Sequence, residues 1–357
     1  MSFKLLRLLL RIGKLLALTP SYSEINFPSR NKSGKKYGLL MVAFLTFAQA
    51  ISIVYRLPIY VKMSPMRLTT EFFVDCTLYL ISISTIVVFQ SKKDLLKTLV
   101  DDLKTVKNFG NVKDNRYGHF ISVNIFFWCY QLHTTYVGLG ALGLEFLKQY
   151  AIEYILLYNE LIVNFIFFIL LKMLLSRYKT LTTRLQNRLD LLEETEVPNN
   201  FTNPYEIKKD FCRLKEAVDV INAIFGWPFL FTTAYASFQT LVYLQGIIVY
   251  KKMTFNATLY LFVVIFWQYT CVLVNIFLCD DVTKEGRKCL DKSYTFAKYV
   301  FVETKSKQMQ MFLVTLRDNL PQFSAARFFR INRTTICSFF KVILTFVIVM
   351  VQFQVAK

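Results

Sequence analysis

Few side chains in this sequence are arranged to make or break bonds. Two histidines, His119 and His133, stand fourteen residues apart and belong to no His-Glu-x-x-His pair. No Gly-x-Ser-x-Gly elbow, Gly-x-Gly-x-x-Gly fingerprint or phosphate-binding P-loop occurs. The seven cysteines are an odd number with no Cys-x-x-Cys among them, which implies neither zinc nor a disulfide framework. Most carboxylates alternate with lysines, as on a solvated, salt-laced helix face. The expectation is a protein that is not an enzyme and takes no cofactor or metal. What remains is polar groups set among apolar ones. Glu71 and Asp75 interrupt one such run. In another, Thr345, Ile348 or Val349, and Gln352 fall at i, i+3/i+4 and i+7. Uncharged polar groups at membrane depth face protein or water, so this stripe is either helix–helix glue or the wall of a pore.

The elements that must carry these residues follow from composition. Of 357 residues 54% are hydrophobic, with 35 Phe and 20 Tyr against 11 Gly and 8 Pro. Mean hydropathy is +0.39. That much apolar surface suits a molecule solvated by lipid around its waist. The expected fold class is all-α, a polytopic membrane protein with seven transmembrane helices near 38–57, 71–90, 119–142, 154–175, 224–249, 256–279 and 335–355, each about the 20 residues a bilayer requires. Lys and Arg number 8, 7, 9 and 11 in segments 1–37, 91–118, 172–215 and 280–334, but 2, 1, 2 and 1 in 57–70, 143–153, 250–255 and 356–357. Positive charge collects on the cytoplasmic side, so residue 1 is expected inside and residue 357 outside. The net charge of +19 is spread between the apolar runs rather than along one stripe. It implies membrane lipid as a partner and no nucleic acid.

The inner side holds the polar mass. Lys4, Arg7, Arg11 and Lys14 recur at helical spacing among leucines, which predicts a basic amphipathic helix in the inner interface. Leu181, Leu185, Leu189 and Leu192 predict that span four continues as a cytoplasmic helix. The loop TEVPNNFTNPYE at 195–206 follows, then helical patterning resumes at 207–222, and 280–320 is again charged and helical up to Pro321. The division expected is 1–37, an inner segment; 38–175, spans one to four; 176–222, an inner helical connection; 223–279, spans five and six; 280–334, an inner helical segment; and 335–357, the last span. Extensions of helices 4–7 are expected to form an inner helical bundle. Of the sequons at Asn31, Asn200, Asn256 and Asn332, only Asn256 would face outward, close to the membrane.

The run FSAARFFRINRTTICSFFKVILTFVIVMVQF (323–353) resembles the C-terminal signature of the insect gustatory receptors, which ends in Thr-Tyr, five apolar residues and Gln-Phe. Here it reads Thr345, Phe346, VIVMV, Gln352 and Phe353. The run VDVINAIFGWPFLFTTAYASF (218–238) is similar to the family's fifth helix at Asn222 and Phe225-Gly226. The resemblance implies a ligand-gated, largely non-selective cation channel of the plasma membrane, opened by a small-molecule tastant. It also implies a homo- or heterotetramer with related receptor subunits. The last helix of each subunit would line the pore, with Gln352 and Phe353 at the outer gate and Val349 and Thr345 deeper. Lys341, one turn before Thr345, is expected to snorkel inward or pair with an acid. The family's pocket lies in the outer half of the helices. That region holds Asp75, Tyr79, Gln131, Thr134, Thr135, Tyr154, Tyr158, Gln239, Tyr243, Trp267 and Gln268. The rivals are a G-protein-coupled-type receptor, which would put its first residues outside, and a secondary transporter, which would carry internal repeats and broken helices.

Overall fold

A computed structural model describes residues 3–19, 33–106, 116–194, 204–249, 255–300 and 306–355. Within them the chain forms α1 (Phe3–Leu15), α2 (Ser33–Tyr60), α3 (Pro65–Ser91), α4 (Lys93–Thr105), α5 (Arg116–Leu142), α6 (Glu145–Glu194), α7 (Pro204–Val249), α8 (Phe255–Val300), α9 (Ser306–Asp318), a hairpin of β1 (Ser324–Ala325) and β2 (Phe329–Arg330), and α10 (Arg333–Val355). Each of the seven predicted spans falls on one helix. By length and hydropathy α2, α3, α6, α7 and α8 can each cross a membrane. The 27-residue α5 and 23-residue α10 coincide with the third and seventh spans.

The helices α6, α7 and α8 are 50, 46 and 46 residues long, far more than a bilayer needs. Their inner lengths form the helical bundle. Leu174, Tyr178, Leu181 and Leu185 of α6 are fully buried against Phe211, Leu214 and Val218 of α7 and Val282 and Cys289 of α8. Tyr178 meets Phe211 edge-on at 5.7 Å, and Arg184 pairs with Asp210 at 3.2 Å on the bundle's flank. Most of the predicted loop at 195–206, with the sequon at Asn200, lies outside the described residues, as does the sequon at Asn31; residues 204–206 already belong to α7.

Three inner features differ from the sequence reading. The leucine side of α1 is present, but protein covers it: Leu5, Leu6, Leu9 and Leu10 are buried, α1 packs on α6, and Lys4, Arg7, Arg11 and Lys14 face outward. Amphipathic spacing states that an apolar surface must be covered, not by what. The charged segment after span two contains a helix of its own, α4, whose Leu96, Leu99 and Leu103 pack against the rest. Beyond Pro321 comes the hairpin, with Ser324 opposite Arg330 and Ala325 opposite Phe329. Its turn places Ala326 and Arg327 at φ +47° and +67°, the two left-handed positions that a tight hairpin turn demands.

Asn222 of α7 holds this hairpin as a strand would. Its Nδ2 donates to the Gln322 carbonyl at 2.8 Å, and its Oδ1 accepts from the Ser324 N–H at 3.1 Å. One turn on, a Cβ at Gly226 would lie 2.8 Å from the Ala326 nitrogen, so only glycine admits the turn there. Arg333 then ties the start of α10 to Asp280 and Asp281 of α8 at 2.8 and 2.9 Å. Asn332, the last of the sequons, is the N-cap of α10, accepting from the Thr335 N–H at 3.1 Å.

Candidate functional site

The outer ends of the spans surround a cavity of about 600 Å³. Two short connections set its rim. Ser64 caps α3 by accepting from the Arg67 N–H at 3.4 Å, with Pro65 in the first turn, so α2 turns directly into α3. Gly143, at φ +62°, ends α5 while its N–H still reaches the Leu139 carbonyl at 2.9 Å, and α6 starts two residues later.

These turns bring a buried charge cluster together. Arg56 of α2 reaches Asp75 of α3 at 3.0 Å and Glu153 of α6 at 2.6 Å, with the Arg56 side chain only 4% exposed. Tyr60 donates to the other Asp75 oxygen at 2.6 Å. The guanidinium also lies over the rings of Tyr60 and Tyr150, at 5.6 and 5.4 Å. The consecutive helices α2 and α3 and the distant α6 are thereby pinned at one point, and each charge is compensated at a depth where an isolated one is costly.

Asp75, Gln131, Trp267 and Gln268 all line the cavity, together with Thr134, Tyr154, Gln239 and Tyr243. Tyr79, Thr135 and Tyr158 do not. Tyr79 shares a 2.6 Å hydrogen bond with Thr46 and borders a smaller hollow between α2 and α3, which Asp75 also touches. Thr135 donates to the Tyr154 hydroxyl at 3.0 Å, one layer behind the wall. Tyr158 donates to Asn124 Oδ1 at 3.3 Å and packs on Phe127 and Trp128. The sequence reading omitted Arg56, Tyr60, Tyr150, Glu153, Glu160 and Tyr235. For Glu160 the signal was available, since it sits inside span four as Asp75 sits inside span two. Arg56 and Glu153 are 97 residues apart and only the fold joins them.

Several groups in the wall are buried with their bonds unmade. Gln131 is 3% exposed, yet neither atom of its amide has a partner among the described residues. The Gln239 and Gln268 Oε1 atoms are likewise unpaired. Buried polar groups normally find partners, so these unmade bonds mark the cavity as a candidate binding site.

The last helix makes a second site. Its packing face is Ile343 and Val347, set against Leu241 of α7 and Tyr269 of α8, with Phe340 stacked on Tyr269 at 5.9 Å. At about 100° per residue, Lys341, Thr345, Ile348 and Gln352 share a stripe on the opposite side. All four are exposed, while Val349, at the stripe's edge, is half-buried. The Thr345 hydroxyl donates to the Lys341 carbonyl at 2.9 Å. The polar stripe therefore points away from the rest of the chain. The Phe353 side chain lies outside the described residues.

No curated protein sequence matches the chain. Among solved structures it is similar to the insect olfactory receptor OR5 from Machilis hrabei, with a TM-score of 0.71 at 14% identity, covering 98% of this chain and 97% of that one. The same receptor in complex with eugenol gives 0.67 at 12% identity, covering 98% and 99%. At these identities the likeness establishes the fold, a multi-pass arrangement of seven membrane helices. The family model of the 7tm chemosensory receptors matches residues 6–357. The chain is a member of the 7tm chemosensory receptor family.

Proposed function

We propose that this chain is a gustatory receptor: a subunit of a ligand-gated, non-selective cation channel in the plasma membrane, opened by a small organic tastant. Four copies, of this chain alone or mixed with related subunits, surround one pore lined by α10. The inner segments 176–222 and 280–334 anchor them to each other, and the outer cavity is the tastant site.

The observation that carries this reading is the direction of the α10 stripe. A helix that turns Thr345 and Gln352 away from its own protein gains more from water than from lipid, which offers the Gln352 amide no hydrogen bonds. Placed around an axis, four such helices give the stripes a common aqueous lumen, narrowed by apolar side chains that dewet when closed. The cavity and the pore helix are also physically linked. Gln268 lines the cavity, and the adjoining Tyr269 holds Phe340 of α10. A ligand that shifts α7 and α8 therefore acts on α10 directly. The eugenol complex of a similarly folded receptor supports a small organic ligand.

The test is whole-cell recording from cells expressing the chain at the surface, with G-protein signalling blocked. A ligand panel is expected to evoke a cation current, and Gln352→Ala is expected to change its leak or rectification. Surface-expressed receptor that passes current only with G proteins active, or Gln352→Ala behaving as wild type, overturns the assignment.

A further inference from the structure

The cavity's charges do not balance. Its wall holds two cations, Arg56 and Arg67, and four carboxylates, Glu71, Asp75, Glu153 and Glu160. Arg56 serves both Asp75 and Glu153, and Arg67 stands 3.8 Å from Glu71. Glu160 is left over, with neither an ion pair nor a hydrogen bond among the described residues. It stands on α6 fifteen residues beyond Glu145, about 22 Å along the helix and well inside the apolar span. Tyr235 of α7 and Cys271 of α8 are within its electrostatic reach.

Several hydrogen bonds in the wall are unmade. Gln268 Nε2 donates to the Tyr235 hydroxyl at 3.3 Å, which leaves Gln268 Oε1 open. Gln131 Oε1 and Gln239 Oε1 are open acceptors as well, while the open donors of the wall are Gln131 Nε2 and the nitrogens Nε and Nη2 of Arg56 and Nε of Arg67. The two arginines are engaged by Asp75, Glu153 and Glu71, so what is missing is a cation and donor at Glu160 and the amide oxygens near it. An ammonium group brings both, with three N–H donors and no acceptor. Nine aromatic side chains, Tyr235, Tyr243 and Trp267 among them, line the same wall, and their ring faces attract cations while accepting an apolar body.

We infer that the cavity binds a small organic cation, a primary amine with an apolar body, whose ammonium pairs with Glu160. The inference rests on the reading of the cavity as the ligand site and adds the chemical class. A neutral ligand makes no ion pair with Glu160, and an organic anion would add to the excess of acidic groups.

The experiment is binding to the purified full chain in detergent, read by calorimetry, with probes matched in shape: hexylamine and 2-phenylethylamine, the corresponding alcohols, and the corresponding carboxylates. The amines are expected to bind at least tenfold more tightly than the alcohols, and the carboxylates most weakly. Glu160→Gln should remove the preference, weakening the amines tenfold or more while leaving the alcohols within threefold and the thermal midpoint unchanged. Glu160→Asp should keep a preference for the amines. Equal binding of amine and alcohol, a preference that survives Glu160→Gln, or no amine binding each overturns the inference. An amine that binds through Glu160 but opens no current upholds the site and refutes the channel reading. A current evoked equally by amines and alcohols does the reverse.

Discussion

The same three helices behave differently at their two ends. Along the inner lengths of α6, α7 and α8, Leu174, Tyr178, Leu185, Phe211, Leu214, Val282 and Cys289 are sealed from solvent. Along the outer lengths the helices stand apart around about 600 Å³, with amide oxygens that have no partner and a carboxyl group that has no counter-charge among the described residues. One length is packed to hold the chain together; the other, the proposed ligand site, has polar bonds left to complete. Binding regions are drawn from the less stable part of a fold for this reason, and local rules of good packing fail there first.

Truncating one aromatic side chain at each end separates the two roles most sharply. Phe211→Ala, in the sealed bundle, is expected to cost about 3–5 kcal/mol, the usual range for emptying a core phenylalanine site. Trp267→Ala, half-buried on the cavity wall against Phe126 at 4.9 Å, should leave the thermal midpoint close to wild type and weaken ligand binding instead. Melting curves of the purified variants decide it. Equal losses of stability would break the contrast between the two ends.

One group in the outer half is structural, and it sharpens the comparison. Arg56→Met leaves Asp75 and Glu153 buried without a counter-charge, which is expected to cost about 3 kcal/mol. The fully neutral variant, Arg56→Met with Asp75→Asn and Glu153→Gln, should recover most of that loss, because the penalty belongs to the unpaired carboxylates and not to the absent arginine. Thermal unfolding of the single and triple variants checks this. A triple variant no better than the single one would mean that the Arg56 side chain itself, over Tyr60 and Tyr150, holds the rim.

The sequence exposes the sealed end far more readily than the open one. Each span announces itself by about 20 apolar residues, and Leu181, Leu185 and Leu189 announce the inner continuation of α6 by their steps of four. The four-residue step from Leu99 to Leu103 gave the same kind of sign for α4, masked by the charges between. The open end depends on pairs with no local signature, Arg56 with Glu153 above all. Glu160 is the exception, because an acid within a span is visible without any structure. Asn222 and Gly226 stood out only through a family likeness, and the fold gives their physical use: they seat the hairpin that leads into α10.

That hairpin leads from the inner helices into α10, and its turn carries the smallest effect. Ala326 and Arg327 both hold positive φ, a conformation that costs a residue bearing a Cβ about 1 kcal/mol or more relative to glycine. Gly226 rules out extra bulk beneath the turn, so relief must come from removing a side chain. Arg327→Gly is therefore expected to stabilise the turn by about 1 kcal/mol, read as a small rise in the thermal midpoint. Ala326→Val, β-branched at a left-handed position, should do the opposite. If Arg327→Gly instead lowers the midpoint, the arginine side chain makes a stabilising contact worth more than the strain of its backbone, and the hairpin belongs with the parts of the molecule that await a partner.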